Sequence, residues 1–170
     1  MNLHQHAPVV TTNAGNKVRE RLCSILKEDW TKLGIQVNYR PVDFTTLVEK
    51  LDQTFDWDAI LIGFTASPEP HNSANLLLSS GNLHLWNPSQ EKPATAWEAE
   101  IDSLMDLATR TLVEEERARH YRRIQEILHE QLPMIQTVHD VVHVAYDRRL
   151  ENFERTVWGQ RHPERLQFSE

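Results

Sequence analysis

Residues 8–42, PVVTTNAGNKVRERLCSILKEDWTKLGIQVNYRPV, predict how the fold begins. The β-branched run at residues 8–12 is typical of a short strand. Asn16 is a residue type that caps helices, and Gly34 is a helix stop signal. Alternating apolar residues over 35–42 predict a second strand. Between the two strands, apolar residues recur with helical spacing and predict one buried face: Val18, Leu22, Ile25, Leu26, Trp30 and Leu33.

The residues that follow continue this alternation of strands and helices. Asp43 can cap a second helix, whose apolar positions are Phe44, Leu47, Val48 and Leu51. Residues 57–64, WDAILIGF, form an apolar run without strict alternation, as in a strand covered on both faces. The order strand–helix–strand–helix–strand implies parallel strands. We therefore predict an α/β fold with three layers, in which a mainly parallel sheet is flanked by helices.

This topology also predicts where a ligand would bind. With the first strand in the centre of the order 2-1-3, the loops at residues 13–16 and 65–75 flank a topological switch point. Ligands of open α/β sheets lie at such points. An anion at the amides of residues 12–16 is a weaker interpretation than a capped helix start, because the segment has one glycine.

The second half of the sequence predicts two long helices and then a strand. Helical spacing covers residues 95–112 and 113–132, and Pro133 ends the second helix. Residues 134–146, MIQTVHDVVHVAY, predict a strand, and residues 165–168, RLQF, predict a short closing strand. The positions expected to face inward are Trp97, Ile101, Leu104, Met105, Ala108, Leu112, Ala118, Tyr121, Ile124, Leu128 and Leu132.

Composition limits the partners of the chain. The 170 residues carry a net charge of −7 with acids and bases interleaved, which disfavours nucleic acid as the main partner. Cys23 is the one cysteine, so an intramolecular disulfide and a cysteine-rich zinc site are excluded. No run of 18 apolar residues occurs, and the first residues lack the basic and apolar regions of a secretory signal.

Catalytic and metal-binding interpretations rest on a few side chains. His71 with Glu69 and His84 could form a small metal site, but the sequence has no H-E-x-x-H pattern. Ser67 with His71 suggests a small α/β hydrolase as an alternative function, although no G-x-S-x-G elbow is present. We expect no metal and no cofactor.

Several segments together resemble a known family. Residues 97–138 contain an acidic, leucine-bearing helix followed by the pattern R-x-x-x-Y-x-x-I-Q-x-I-L, an acid and P-x-I. Residues 29–51, 56–72 and 81–88 (DWTKLGIQVNYRPVDFTTLVEKL, DWDAILIGFTASPEPHN and GNLHLWNP) add further matches. In this order the segments resemble the extracellular solute-binding proteins, family 5, of peptide/nickel-type ABC importers.

The resemblance implies a two-lobed protein that closes on its ligand about a hinge. Residues 8–133 would form the second lobe of a type II periplasmic-binding-protein fold, after a flexible tail at residues 1–7. Residues 134–170 would be a returning segment with a hinge-type strand that packs on a first lobe outside these 170 residues. A stand-alone module that forms a homodimer through residues 134–146 remains an alternative.

The implied function is non-catalytic binding of peptides or similar small solutes for ABC-type import. The full-length parent would work with an ABC permease in the periplasm or outside the cell, associated with a lipid or membrane. Ala66 and Ser67 stand where peptide-binding members have an aspartate, which argues against recognition of a free α-ammonium group. Glu69 matches a second acid, interpreted as loop-shaping. The expected ligand-binding residues are Phe64, Thr65, Ala66, Ser67, Glu69, Asn13 and Trp86.

Overall fold

The computed structural model describes residues 7–64, 67–139, 141–156 and 159–169. The chain divides into two compact units, Met1–Met134 and Ile135–Glu170. The predicted tail, apart from Ala7, lies outside the described residues. Among the helices of the described ranges, none has both the length and the apolar character needed to cross a membrane.

The first unit begins with a parallel sheet of three strands. They are β1 (Val9–Asn13), β2 (Asn38–Val42) and β3 (Ala59–Ile60), in the order β2-β1-β3. Both neighbours run parallel to β1. The predicted α/β class and the central position of the first strand are confirmed. The third strand is shorter than predicted, because only two of its residues pair with β1.

Helix α1 (Lys17–Lys32) and helix α2 (Phe44–Glu49) connect these strands. Both predicted caps are confirmed, since Asn16 accepts a hydrogen bond from the Arg19 amide and Asp43 accepts one from the Thr46 amide. After α2, a π-helical turn covers Lys50–Thr54.

The predicted buried face of α1 is wrong in part. Cys23 is buried with Val10 and Val37, and Trp30 packs against this cluster. The predicted positions Val18, Ile25 and Leu33 are exposed instead. The apolar residues of α1 span more of its circumference than the sheet covers, so only the flank that carries Cys23 and Trp30 is buried.

A helical hairpin forms the main hydrophobic core. Helix α4 (Ala96–Arg110) packs on helix α5 (Glu114–Gln131), after a 3₁₀ turn (Pro70–Ser73) and the short helix α3 (Ala74–Leu77). The predicted inward positions Leu112 and Leu132 are wrong: Leu112 is 97% exposed and Leu132 is also exposed. Both lie beyond the last helical residue of their helix, where the helical spacing no longer applies. The core residues are Ile101, Met105, Ala108, Tyr121, Ile124 and Ile127.

The second unit contains two small antiparallel pairs. Strand β4 (Leu150–Glu151) pairs with β7 (Gln167–Phe168), and β5 (Glu154–Thr156) pairs with β6 (Gly159–Arg161). The closing strand predicted at 165–168 is confirmed in β7. The hinge-type strand predicted over 134–146 is wrong for the residues described there, 134–139 and 141–146, which form no strand. Alternating apolar residues make a strand only where a neighbouring backbone supplies hydrogen bonds.

Candidate functional site

The loops that follow the parallel strands are joined at one edge of the sheet. The Ala14 amide donates to the Val42 carbonyl at 2.6 Å, which ties the loop after β1 to the end of β2. The Thr12 hydroxyl donates to the Leu61 carbonyl at 2.7 Å, which ties β1 to the segment after β3. Thr12 is fully buried. The three chain segments therefore meet at the switch point predicted by the topology.

Arg19 connects the loops after β1 and β3. Its Nη1 donates to Asn13 Oδ1 at 2.7 Å. The guanidinium also lies against Gly63, since a Cβ added to Gly63 would be 2.9 Å from Arg19 Nη2. Gly63 directly precedes Phe64, whose side chain is 45% exposed. The sheet edge thus places the predicted site residues Asn13 and Phe64 on two loops that one arginine joins.

The start of α1 uses its own polar groups for capping. The Gly15 amide donates to Glu20 Oε1 at 2.8 Å, and Gly15 has a φ of 83°, which a glycine adopts without strain. The hydrogen bond from Gly15 and that from Lys17 lower the pKa of Glu20. The Arg19 amide donates a hydrogen bond to Asn16 Oδ1 and is therefore not free to bind an anion. These contacts favour the capped helix start over the anion site.

The loop after β3 is shaped by local hydrogen bonds. Thr65 and Ala66 lie outside the described residues. Ser67 Oγ accepts from Asn72 Nδ2 at 2.7 Å and from the Glu69 amide at 3.2 Å. Ser67 is therefore held in an acceptor role by its own loop. Among the described contacts there is no hydrogen bond between Ser67 and His71, so the hydrolase hypothesis lacks the serine–histidine contact that it requires.

Glu69 ties this loop to α5. Its Oε1 accepts from the His71 amide at 3.3 Å and from the Tyr121 hydroxyl at 3.5 Å. Its Oε2 lies 3.4 Å from Arg117 Nη1. Burial, and next the charge of Glu69, raise the pKa of Tyr121. All of these contacts agree with the loop-shaping role expected of Glu69 rather than with a free ligand-binding acid.

The residues predicted to form a metal site, His71, Glu69 and His84, are not grouped around one position in the structure. His71 lies in the loop with Glu69, and its buried Nδ1 has no hydrogen-bond partner among the described residues. His84 is fully buried and contacts Glu98 and Gln90. Over the described ranges, no group of three or more His, Cys, Asp or Glu side chains is placed to hold a metal ion.

A second polar cluster surrounds Glu98, a residue that the sequence reasoning missed. Glu98 is 3% exposed. Its Oε1 accepts from Trp86 Nε1 at 3.1 Å and lies 3.3 Å from His84 Nε2. Its Oε2 accepts from the Ala94 and Thr95 amides and the Thr95 hydroxyl at 2.9, 2.8 and 3.0 Å. The sequence signal was the T-x-x-E capping box at residues 95–98.

Trp86, one of the predicted ligand-binding residues, belongs to this cluster. Its ring centroid lies 3.9 Å from that of His84 and 6.1 Å from that of Trp97. Its indole N–H is occupied by Glu98. The described contacts do not join Trp86 to the loop residues Phe64 and Ser67. Trp86 therefore holds the segment after α3 to the start of α4.

The chain is similar in sequence to known solute-binding proteins. Residues 3–84 match the family model of bacterial extracellular solute-binding proteins, family 5 Middle. The oligopeptide-binding protein AppA of Bacillus subtilis is 27% identical over 150 residues, covering 84% of this chain and 25% of that protein. Heme-binding protein A of Haemophilus influenzae is 26% identical over 156 residues, covering 89% and 26%. The chain spans about a quarter of the length of these relatives.

Solved structures show the same fold. B. subtilis AppA, in complex with a nonapeptide, matches with a TM-score of 0.61 and 24% identity over 78% of this chain and 27% of that one. The Escherichia coli murein tripeptide binding protein MppA matches with a TM-score of 0.62 and 20% identity over 74% and 23%. The matched part of the chain therefore has the fold of type II periplasmic binding proteins, as predicted.

Proposed function

Since the resemblance to the bacterial extracellular solute-binding proteins of family 5 is confirmed, we propose that this chain forms one wall of a solute-binding cleft. The cleft would belong to a receptor for ABC-type import. The family consists of periplasmic or extracellular binding proteins, not enzymes, and we propose the same non-catalytic role here. Residues 8–133 would be the ligand-binding lobe, and residues 134–170 the segment that returns to a first lobe.

The joined loops at the edge of the parallel sheet carry this proposal. Thr12 is hydrogen-bonded to the segment after β3, Arg19 lies between Asn13 and Gly63, and Phe64 is exposed beside them. A rigid edge with an exposed aromatic ring lowers the entropy cost of binding an apolar or peptide-like group. Phe64 and Ser67, with Thr65 and Ala66 between them, would contact the solute. Asn13 and Glu69 would support this wall from outside the contact.

The names of the relatives suggest the class of solute. They include binding proteins for oligopeptides, dipeptides, tripeptides and heme. We propose a small peptide-like solute, delivered to the permease of an ABC transporter. The longer protein would act in the periplasm or outside the cell, held at the membrane.

A peptide titration followed by NMR tests the proposal. One wall of a cleft buries a ligand from one side only, so binding should be weak. Trialanine at millimolar concentration should shift the amide signals of residues 13–16 and 63–72 and leave the second unit unchanged. The double variant Phe64→Ala, Ser67→Ala should lose these shifts, whereas Leu107→Ala, at an equally exposed apolar residue on α4, should keep them. Sub-micromolar binding, or shifts spread outside these loops, would contradict the one-wall proposal.

A second candidate function is homodimerisation through residues 134–146. Ile135, Val138, Val141 and Val142 are all exposed, and the residues described in this segment form no strand. Exposed β-branched residues in an unpaired segment are able to add to another strand. Light scattering over a range of protein concentrations tests this candidate. A monomer at the highest concentration would count against it, and Val141→Lys should weaken any dimer that forms.

A further inference from the structure

We propose that Arg117 and Tyr121 of α5 are positioning residues for the solute-binding loop, with Glu69 as the group that they hold. This inference rests on the proposed function, because it concerns the loop that carries Ser67 and follows Phe64. Glu69 and Tyr121 are 52 residues apart in the chain, so their contact is a tertiary one. This contact fixes the loop to the main helical core, to which Tyr121 belongs.

The first part of the argument is that the anchor itself is rigid. Tyr121 belongs to the buried core cluster with Ile101, Met105 and Ile124. Its ring is therefore fixed by packing, and only its hydroxyl reaches out to Glu69. Arg117 is one helical turn earlier on α5, so both side chains lie on the same face of the helix. They approach different oxygens of one carboxylate, Tyr121 at Oε1 and Arg117 at Oε2.

The second part is that Glu69 also organises the loop. Its Oε1 accepts from the His71 amide, and its carbonyl accepts from the Asn72 amide at 3.1 Å. Its own amide donates to Ser67 Oγ. A change in the position of Glu69 therefore moves the hydroxyl of Ser67. A carboxylate held from two sides in this way supports the loop.

Hydrogen exchange at the amides of Glu69, His71 and Asn72 tests the contact. Arg117→Met should raise the exchange rates of these amides about two- to fivefold, the change expected for losing a half-exposed ion pair. Glu69→Gln should raise them similarly, and the double variant should add little to either. Arg117→Lys should restore part of the protection. The matched control is Arg119→Met on the same helix, because Arg119 pairs with Glu116 within α5 and should leave the loop unchanged.

The peptide titration distinguishes positioning from simple support of the fold. Arg117→Met should weaken the trialanine-induced shifts of Phe64 and Ser67. Its denaturation midpoint should be the same as that of the Arg119→Met variant. Unchanged shifts despite faster loop exchange would overturn the positioning role, and so would equal exchange in the Arg117 and Arg119 variants. A wild-type chain without any peptide-induced shifts would overturn the proposed function as well. If the wild-type chain shows the peptide-induced shifts but Arg117→Met leaves the exchange rates of the loop amides unchanged, this inference alone is overturned.

Discussion

Replacing Glu98 with glutamine should lower the free energy of unfolding by about 3 kcal/mol at neutral pH. The buried carboxylate receives hydrogen bonds at both oxygens, from the Trp86 indole, two backbone amides and the Thr95 hydroxyl, and His84 Nε2 lies 3.3 Å from its Oε1. A glutamine side chain has one acceptor oxygen and one NH₂ group, which carries two N–H donors, in place of the two carboxylate oxygens. At least one surrounding donor would then face the new NH₂ group, which leaves both groups unsatisfied, and each unsatisfied buried group costs about 1–3 kcal/mol.

The pH dependence gives a second measure of the same interaction. Burial raises the pKa of Glu98, but the hydrogen bonds from Thr95, His84 and Trp86 lower it more, from 4.5 to about 2. At about 1.4 kcal/mol for each pKa unit, this depression corresponds to about 3 kcal/mol. Because the folded-state pKa is below the unfolded-state value, the stabilisation is complete above that value. It is lost as the pH falls from about 5 towards 2.

Urea denaturation followed by tryptophan fluorescence measures both effects. The control is Glu100→Gln on the same helix, where a half-exposed carboxylate pairs with Arg123 at 2.8 Å and should contribute less than about 1 kcal/mol. Equal losses for Glu98→Gln and Glu100→Gln would refute the reasoning. So would a difference between wild type and Glu98→Gln that does not shrink between neutral pH and about pH 3.5, where about 1 kcal/mol of it should be lost.

Two further comparisons test the packing. Gly81→Ala should cost at least about 2 kcal/mol, because the new Cβ would lie 2.1 Å from the Asn75 carbonyl oxygen. Gly34→Ala, where the Cβ meets open space and only the φ of 79° is unfavourable, should cost about 1 kcal/mol in the same urea experiment. Ile124→Ala should lower the melting temperature through a loss of about 2–5 kcal/mol, since Ile124 lies in the core. Leu112→Ala should change stability by less than about 0.5 kcal/mol, and a large effect there would contradict the described exposure of Leu112.

Part of the candidate site was predictable because its position depends on the order of strands and helices along the sequence. Strand–helix alternation predicted the parallel sheet, and the central first strand placed the loops at Asn13 and Phe64 on the same edge. The supports of that edge were not predictable in the same way. Arg19 reaches Gly63 and Glu69 reaches Tyr121 only because the fold brings distant segments together. No spacing rule within one segment encodes such a contact.

The sequence by itself determined the local features of this protein. The caps at Asn16 and Asp43 and the end of α1 before Gly34 follow from interactions within a few residues, so the local pattern was sufficient there. Only the tertiary structure decided which flank of α1 is buried and which backbone segments find a partner. Both depend on the surface that a distant segment offers, and helical spacing or β-branched composition describes one side of that contact alone.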